Sequence, residues 1–160
     1  MGTELDLTLA ATVPIVTAVA RSGTVSYAEV VSSISSKSAS PGTRAGIDEF
    51  IETAAAALQV DGGAQRAKAI MVLNSAEPPI MMRNTVYCLV DGGVDHQRIE
   101  SDVLAMVERV RESVPGYRLK QRIQFETFSS QNPLHIPETG KFTGSRVSVL
   151  VEVTGAGATS

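Results

Sequence analysis

Apolar and polar residues alternate with a period of two along several stretches of the chain. Residues 145–153 set Val147, Val149, Val151 and Val153 against Arg146, Ser148, Leu150 and Glu152. Residues 117–128 set Leu119, Ile123 and Phe125 against Arg118, Lys120 and Arg122. Successive side chains of a strand point to opposite faces, so both read as strands of a half-buried sheet. Residues 24–34 and 84–91 read as further strands, and "AKAIMVL" at 67–73 as a buried one.

Three stretches follow the helical period instead. Ile47, Phe50, Ile51, Ala54 and Leu58 form one stripe, predicting a helix over 44–58. Asp48 and Glu49 suit its positive first turn, and "DGG" at 61–63 stops it. Ile99, Val103, Met106, Val107, Val110 and Val114 predict a second helix, capped by Asp95 and ended by Pro115-Gly116. Residues 11–21 read as a short helix entered through Pro14. "SKSASPGT" and "NSAEPP" read as loops, and the tail "TGAGATS" as frayed.

The pattern predicts an α+β domain: a mixed, largely antiparallel sheet of about five strands, helices on one face and the other face free. A free, amphipathic sheet face commonly meets a copy of itself, so a homodimer through the sheet is expected. A chain of 160 residues makes one domain, here 1–160, and can bury enough surface to fold without a metal or disulfide. A single cysteine, Cys88, fits a reducing, cytoplasmic setting. A net charge of −3 without a basic run argues against nucleic acid as partner. No apolar run approaches membrane-spanning length, and no secretory signal is visible, so no membrane is expected.

"SSISSKSASPGTRAGIDEF", "KAIMVLNSAEPPIMMRNTVY" and "VPGYRLKQRIQFE" together resemble the acylating acetaldehyde dehydrogenase family, over about residues 11–155. The resemblance implies enzymes that turn a short aldehyde into its acyl-coenzyme A with NAD, in complex with a 4-hydroxy-2-oxoacid aldolase. It also implies two domains. One is a Rossmann domain; the other resembles the C-terminal domain of glyceraldehyde-3-phosphate dehydrogenase and carries the nucleophile and the dimer interface. This chain resembles the second alone. It contains no G-x-G-x-x-G after a strand, so no nucleotide-binding domain and no cofactor are expected.

The departures fall where the resemblance puts the chemistry. The family pattern Cys-Gly-Gly-Gln-Ala-Thr-Val-Pro is replaced from Leu7 to Pro14, with Leu7 at the cysteine, Thr8 and Leu9 at the glycines and Ala10 at the glutamine. Thioester formation needs a thiolate, which leucine cannot supply. Met-Arg-Asp-Thr-Val-Tyr reads "MRNTVY", so Asn84 replaces an acid and cannot exchange a proton near neutral pH. Thr-Arg-Ala-Asn-Ile-Asp-Glu-Phe reads "TRAGIDEF", with Gly46 at the asparagine. Inherited acyl-coenzyme A chemistry is therefore expected to be lost.

Two readings follow. In one, the chain is a recruited, neofunctionalised, cofactor-independent enzyme for rearrangement, cyclisation, elimination or hydrolysis of a small organic molecule. Asn84, His135 and Glu77 would be its catalytic candidates, and Arg44, Gly46, Leu7, Lys37 and Met71 would line the substrate pocket. In the alternative, the chain is a non-catalytic dimerisation or partner-binding module. The departures look coordinated and favour the first. Each candidate also has a structural reading: His135 as a solvated loop residue, Glu77 as a cap on nearby amides, Arg44 as a loop pin. Convergence of Glu77, Asn84 and His135 on one pocket would separate the two.

Overall fold

The computed structural model describes residues 3–35, 46–74, 80–137 and 139–154. Helix α1 (Thr3–Ala20) leads into β1 (Val25–Ser35), α2 (Ile47–Val60), β2 (Ala67–Asn74) and β3 (Ile80–Val90). Then come α3 (His96–Ser113), β4 (Tyr117–Leu119), β5 (Gln124–Phe128), the β6–β7 hairpin (Leu134–Ile136, Gly140–Phe142) and β8 (Gly144–Thr154). The sheet runs β2-β1-β3-β8-β4, and β5 continues the β4 edge along β8. Among the described strands only β1 and β2 pair in parallel. Their connection passes through α2, as parallel neighbours require.

This is the mixed sheet that the alternation predicts, five positions wide. The predicted strand over 117–128 is two strands. Residues 120–123 leave the ladder between them, although Lys120 still donates its amide to the Leu150 carbonyl.

One sheet face carries Ala28, Val30 and Ile34 of β1, Met82, Val86 and Cys88 of β3, and the four valines of β8. The three described helices all bury apolar residues in the same cluster, including Ile15, Phe50 and Val103. α2 and α3 begin as their sequences dictate. Asp48 and Glu49 stand in the first turn of α2. The Asp95 carboxylate accepts the Arg98 amide at 3.1 Å. Past α2, a side chain at Gly62 would meet the Leu58 carbonyl, so the turn there needs glycine.

Helix α1 corrects the expectation of a short helix over 11–21. It begins at Thr3, and Pro14 lies inside it rather than in its first turn. Buried Leu5, Thr8, Ala11, Thr12, Ile15, Val16, Ala18 and Val19 point in several directions, because α2, α3 and the sheet all pack around it. Leu9 and Ala10 stand where the resembled pattern has Gly and Gln; without glycines at 8 and 9 the helix continues to Thr3. Pro14 leaves the Ala10 carbonyl without its helical amide. One residue along, the Ala11 carbonyl accepts the buried Tyr117 hydroxyl at 2.9 Å. Burial raises the Tyr117 pKa above the usual phenol range, which keeps that donor protonated.

The opposite face is not wholly free, as the sequence suggested. The β6–β7 hairpin covers one end, burying Ile136 against Tyr27 and Leu89. The rest of this outer face has no covering element among the described residues.

Candidate functional site

The strand register fixes which candidates share a neighbourhood. Met71, Ser32, Asn84, Val151 and Leu119 form one row across the sheet, from β2 to β4, on its helix-covered face. Asn84 is fully buried and Ser32 nearly so. Neither the Asn84 amide nor the Ser32 hydroxyl has a hydrogen-bond partner among the described residues. Met71 and Leu7 are half-buried and pack against the core. Thr8, beside Leu7 in α1, directs its hydroxyl at the Met82 sulfur, 3.6 Å away. Gly46 is the N-cap residue of α2 and, lacking a side chain, makes no cap bond.

None of these side chains exchanges a proton near neutral pH, and the Ser32 and Thr8 hydroxyls contact no base among the described residues that could activate them as nucleophiles. Cys88 does not substitute for one. It is fully buried between Ala28 and Val147 in the register, and burial pushes its thiol up to about 12. A thiol so suppressed carries almost no thiolate.

His135 lies elsewhere. It is exposed on the hairpin and opens on the outer face, where it lines a groove of about 420 Å³ with Tyr27, Glu29, Tyr87, Pro137 and Arg146. Asn84 and His135 are thus on opposite sides of the sheet and do not meet a common cleft. Lys37, Arg44 and Glu77 fall outside the described residues. No group of His, Cys, Asp and Glu among the described residues could hold a metal ion.

The alternation missed the chemistry of the outer face. Glu152 sits there with its side chain fully buried beneath two half-exposed arginines. Arg83 reaches it from β3 through Nε at 2.9 Å, and Arg118 reaches it from β4 through Nη2 at 3.0 Å. Burial alone would raise the carboxyl's pKa. The hydrogen bonds from Arg83 and Arg118, with the charges of Arg83 and Lys120, outweigh it and hold the group below the usual carboxylate value. The arginines at 83 and 118, opposite 152 in the register, were the available signal.

The middle of this face is apolar. Ile70, Val31, Thr85 and Leu150 form a belt across four strands, and Val72 beside it is 44% exposed. Toward the hairpin, the Tyr27 hydroxyl donates to Glu29 at 2.8 Å. Arg146 pairs with Glu126 and lies over the Tyr87 and Phe128 rings.

Fold and site together define a two-layer α+β domain with one sheet face sealed by helices and the other largely open. The chain belongs to the prokaryotic acetaldehyde dehydrogenase dimerisation family, which its residues 9–159 match. It is 67% identical over 144 residues to the probable inactive acetaldehyde dehydrogenase 1 of Mycolicibacterium vanbaalenii, covering 90% of this chain and 46% of that protein. It is 56% identical over 147 residues to acetaldehyde dehydrogenase 1/2 of Rhizorhabdus wittichii, covering 92% and 46%. The acetaldehyde dehydrogenase of Sphingobium yanoikuyae is also 56% identical over 147 residues, covering 92% and 47%. The chain therefore spans about half the length of these relatives. No described helix is long and apolar enough to cross a membrane.

Proposed function

We propose that this chain is a dimerisation module without dehydrogenase chemistry, and that two copies pack through the outer face of the sheet. The belt of Ile70, Val31, Thr85 and Leu150, with exposed Val72 at its edge, carries this reading. A β-branched and aliphatic stripe across a sheet gains most when a second sheet covers it. The family's dimerisation description and the two-fold habit of homo-oligomers support the same partner.

The loss of acyl-coenzyme A formation is part of the proposal. Leu7 offers no thiol, Asn84 no exchangeable proton, and Cys88 is buried. A relative described as probable inactive points the same way. The recruited-enzyme reading needs Asn84 and His135 to share a substrate, and the sheet lies between them. The non-catalytic module is the better-supported reading. A cytoplasmic setting agrees with its one free thiol.

Sedimentation equilibrium tests the association. The 160-residue chain is expected to sediment as a dimer, and Leu150→Arg, which sets a charge in the belt, as a folded monomer. A monomeric parent chain, or an undisturbed dimer in Leu150→Arg, contradicts the proposal. The chemical half is tested by assaying coenzyme A-dependent aldehyde oxidation with NAD, where none is expected.

A further inference from the structure

The helix layer carries a groove of its own, on the side of the domain away from the outer sheet face. Helices α1 and α3 pack there in opposite directions. Arg98, near the start of α3, donates to the Arg21 carbonyl just past the end of α1 at 3.1 Å. Tyr117, just past the end of α3, reaches back to Ala11. Between the two helices lies a groove of about 400 Å³.

The floor of this groove is apolar. Val13, Pro14 and Ala18 of α1 face Met106 and Val110 of α3. The two hydroxyls along it already donate to their own helices. Thr17 donates to the Val13 carbonyl at 3.2 Å, and Ser113 to the Val110 carbonyl at 3.3 Å. The donors left are the guanidiniums of Arg21, from the α1 side, and Arg109, from the α3 side, both exposed.

These two arginines stand apart from most others. Six described arginines pair with a carboxylate: Arg83, Arg98, Arg111, Arg118, Arg122 and Arg146. Arg21 and Arg109 have no such partner among the described residues, and no acidic residue is among those that line the groove. Two like charges beside one apolar floor favour an anion there, and a guanidinium donates best to a carboxylate.

The length of the groove selects the kind of anion. From Val13 to Ala20, α1 rises about 11 Å. A partner helix anchored at successive turns would overrun that length, and a protein interface of ordinary size needs about 800 Å² on each side. A single aliphatic chain with a charged end suits a short apolar groove with a few polar groups.

We infer that this groove binds a medium-chain fatty carboxylate. The chain lies along Pro14, Ala18, Met106 and Val110, and the carboxylate is held by Arg21 and Arg109. The site lies on the layer opposite the proposed dimer face, so it stays accessible in the dimer.

The full chain, labelled with carbon-13 at its methionine methyls, is titrated with sodium octanoate below its micellar concentration and followed by nuclear magnetic resonance. The Met106 methyl is expected to shift saturably, and the Met82 methyl, in the core beside Thr8, to stay in place. Arg21→Gln and Arg109→Gln should each weaken binding about tenfold, as the loss of a hydrogen bond to a charged group does. Octanamide, which keeps the chain without the charge, should bind about tenfold more weakly than octanoate. A Met106 methyl that octanoate leaves unmoved overturns the inference. So does octanamide binding as tightly as octanoate, or full affinity in both arginine variants, since the groove would then accept any apolar body. A Met106 shift that follows protein concentration with no octanoate present would give the groove to a second copy, and would overturn the inference too.

Discussion

Asn84 stands directly opposite Ser32 in the β1–β3 ladder, and neither buried side chain has a hydrogen-bond partner among the described residues. Leaving a buried polar group unpaired costs about 1–3 kcal/mol. Replacing the amide with an apolar side chain of similar size removes that cost. Asn84→Val is expected to stabilise the chain by about 1 kcal/mol, read as a raised urea midpoint at unchanged slope. A clear loss of stability would show that the amide has a hydrogen-bond partner in solution.

Glu152 makes stability depend on pH. Its folded carboxyl releases its proton more easily than the ordinary value of 4.5, so its contribution is complete above that value. The contribution is lost as pH falls below 4.5 through the lower folded value. Glu152→Gln should cost about 1.5–3 kcal/mol at pH 7, the range for hydrogen bonds to a charged group. It should also flatten the fall in stability between pH 5 and 3, on the order of where carboxylates titrate. Equal acid sensitivity in both proteins, measured by denaturation across that window, would mean that the arginines hold Glu152 no better than water does.

Cys88 should be silent toward Ellman's reagent at pH 8 in the folded chain and react once urea unfolds it. Its burial and a thiol pushed up to about 12 both forbid attack. Cys88→Ser would set a hydroxyl between Ala28 and Val147 and should destabilise by roughly 1–3 kcal/mol. Rapid labelling of the native chain would count against the packing described here.

Gly116 joins α3 to β4 at a φ of +90°, and an added Cβ would lie 2.4 Å from the Thr154 hydroxyl and 2.8 Å from its carbonyl. Gly116→Ala is therefore expected to cost about 1–3 kcal/mol, from backbone conformation and close approach together. Thermal melts that match the parent would show that the end of β8 moves aside freely.

Much of the fold was legible because burial on one face enforces a period. The valines of β8 at every second position, and the stripe of α3 with Asp95 ahead of it, declare their elements outright. α1 was misread because it packs on several sides, so its apolar residues follow no single stripe, and Pro14 looked like a beginning. The hairpin escaped notice because three-residue strands are too short to show alternation. At the candidate site, the family resemblance pointed to the replacements at Leu7 and Asn84. It could not say that His135 lies across the sheet from Asn84, since that depends on how the hairpin folds back. The Arg83–Glu152–Arg118 cluster stayed hidden because its members lie on three strands that the sequence separates.

The position of β8 bears on how the domain is made. This strand lies between β3 and the β4–β5 edge, yet it is synthesised after all of them. Until it emerges from the ribosome, β3 keeps an open hydrogen-bonding edge and the helices lack the valine wall they pack against. Pairings between distant parts of a chain form slowly, and exposed strand edges invite association with other chains. The nascent polypeptide thus passes through a vulnerable stage that ends only when β8 is threaded into place.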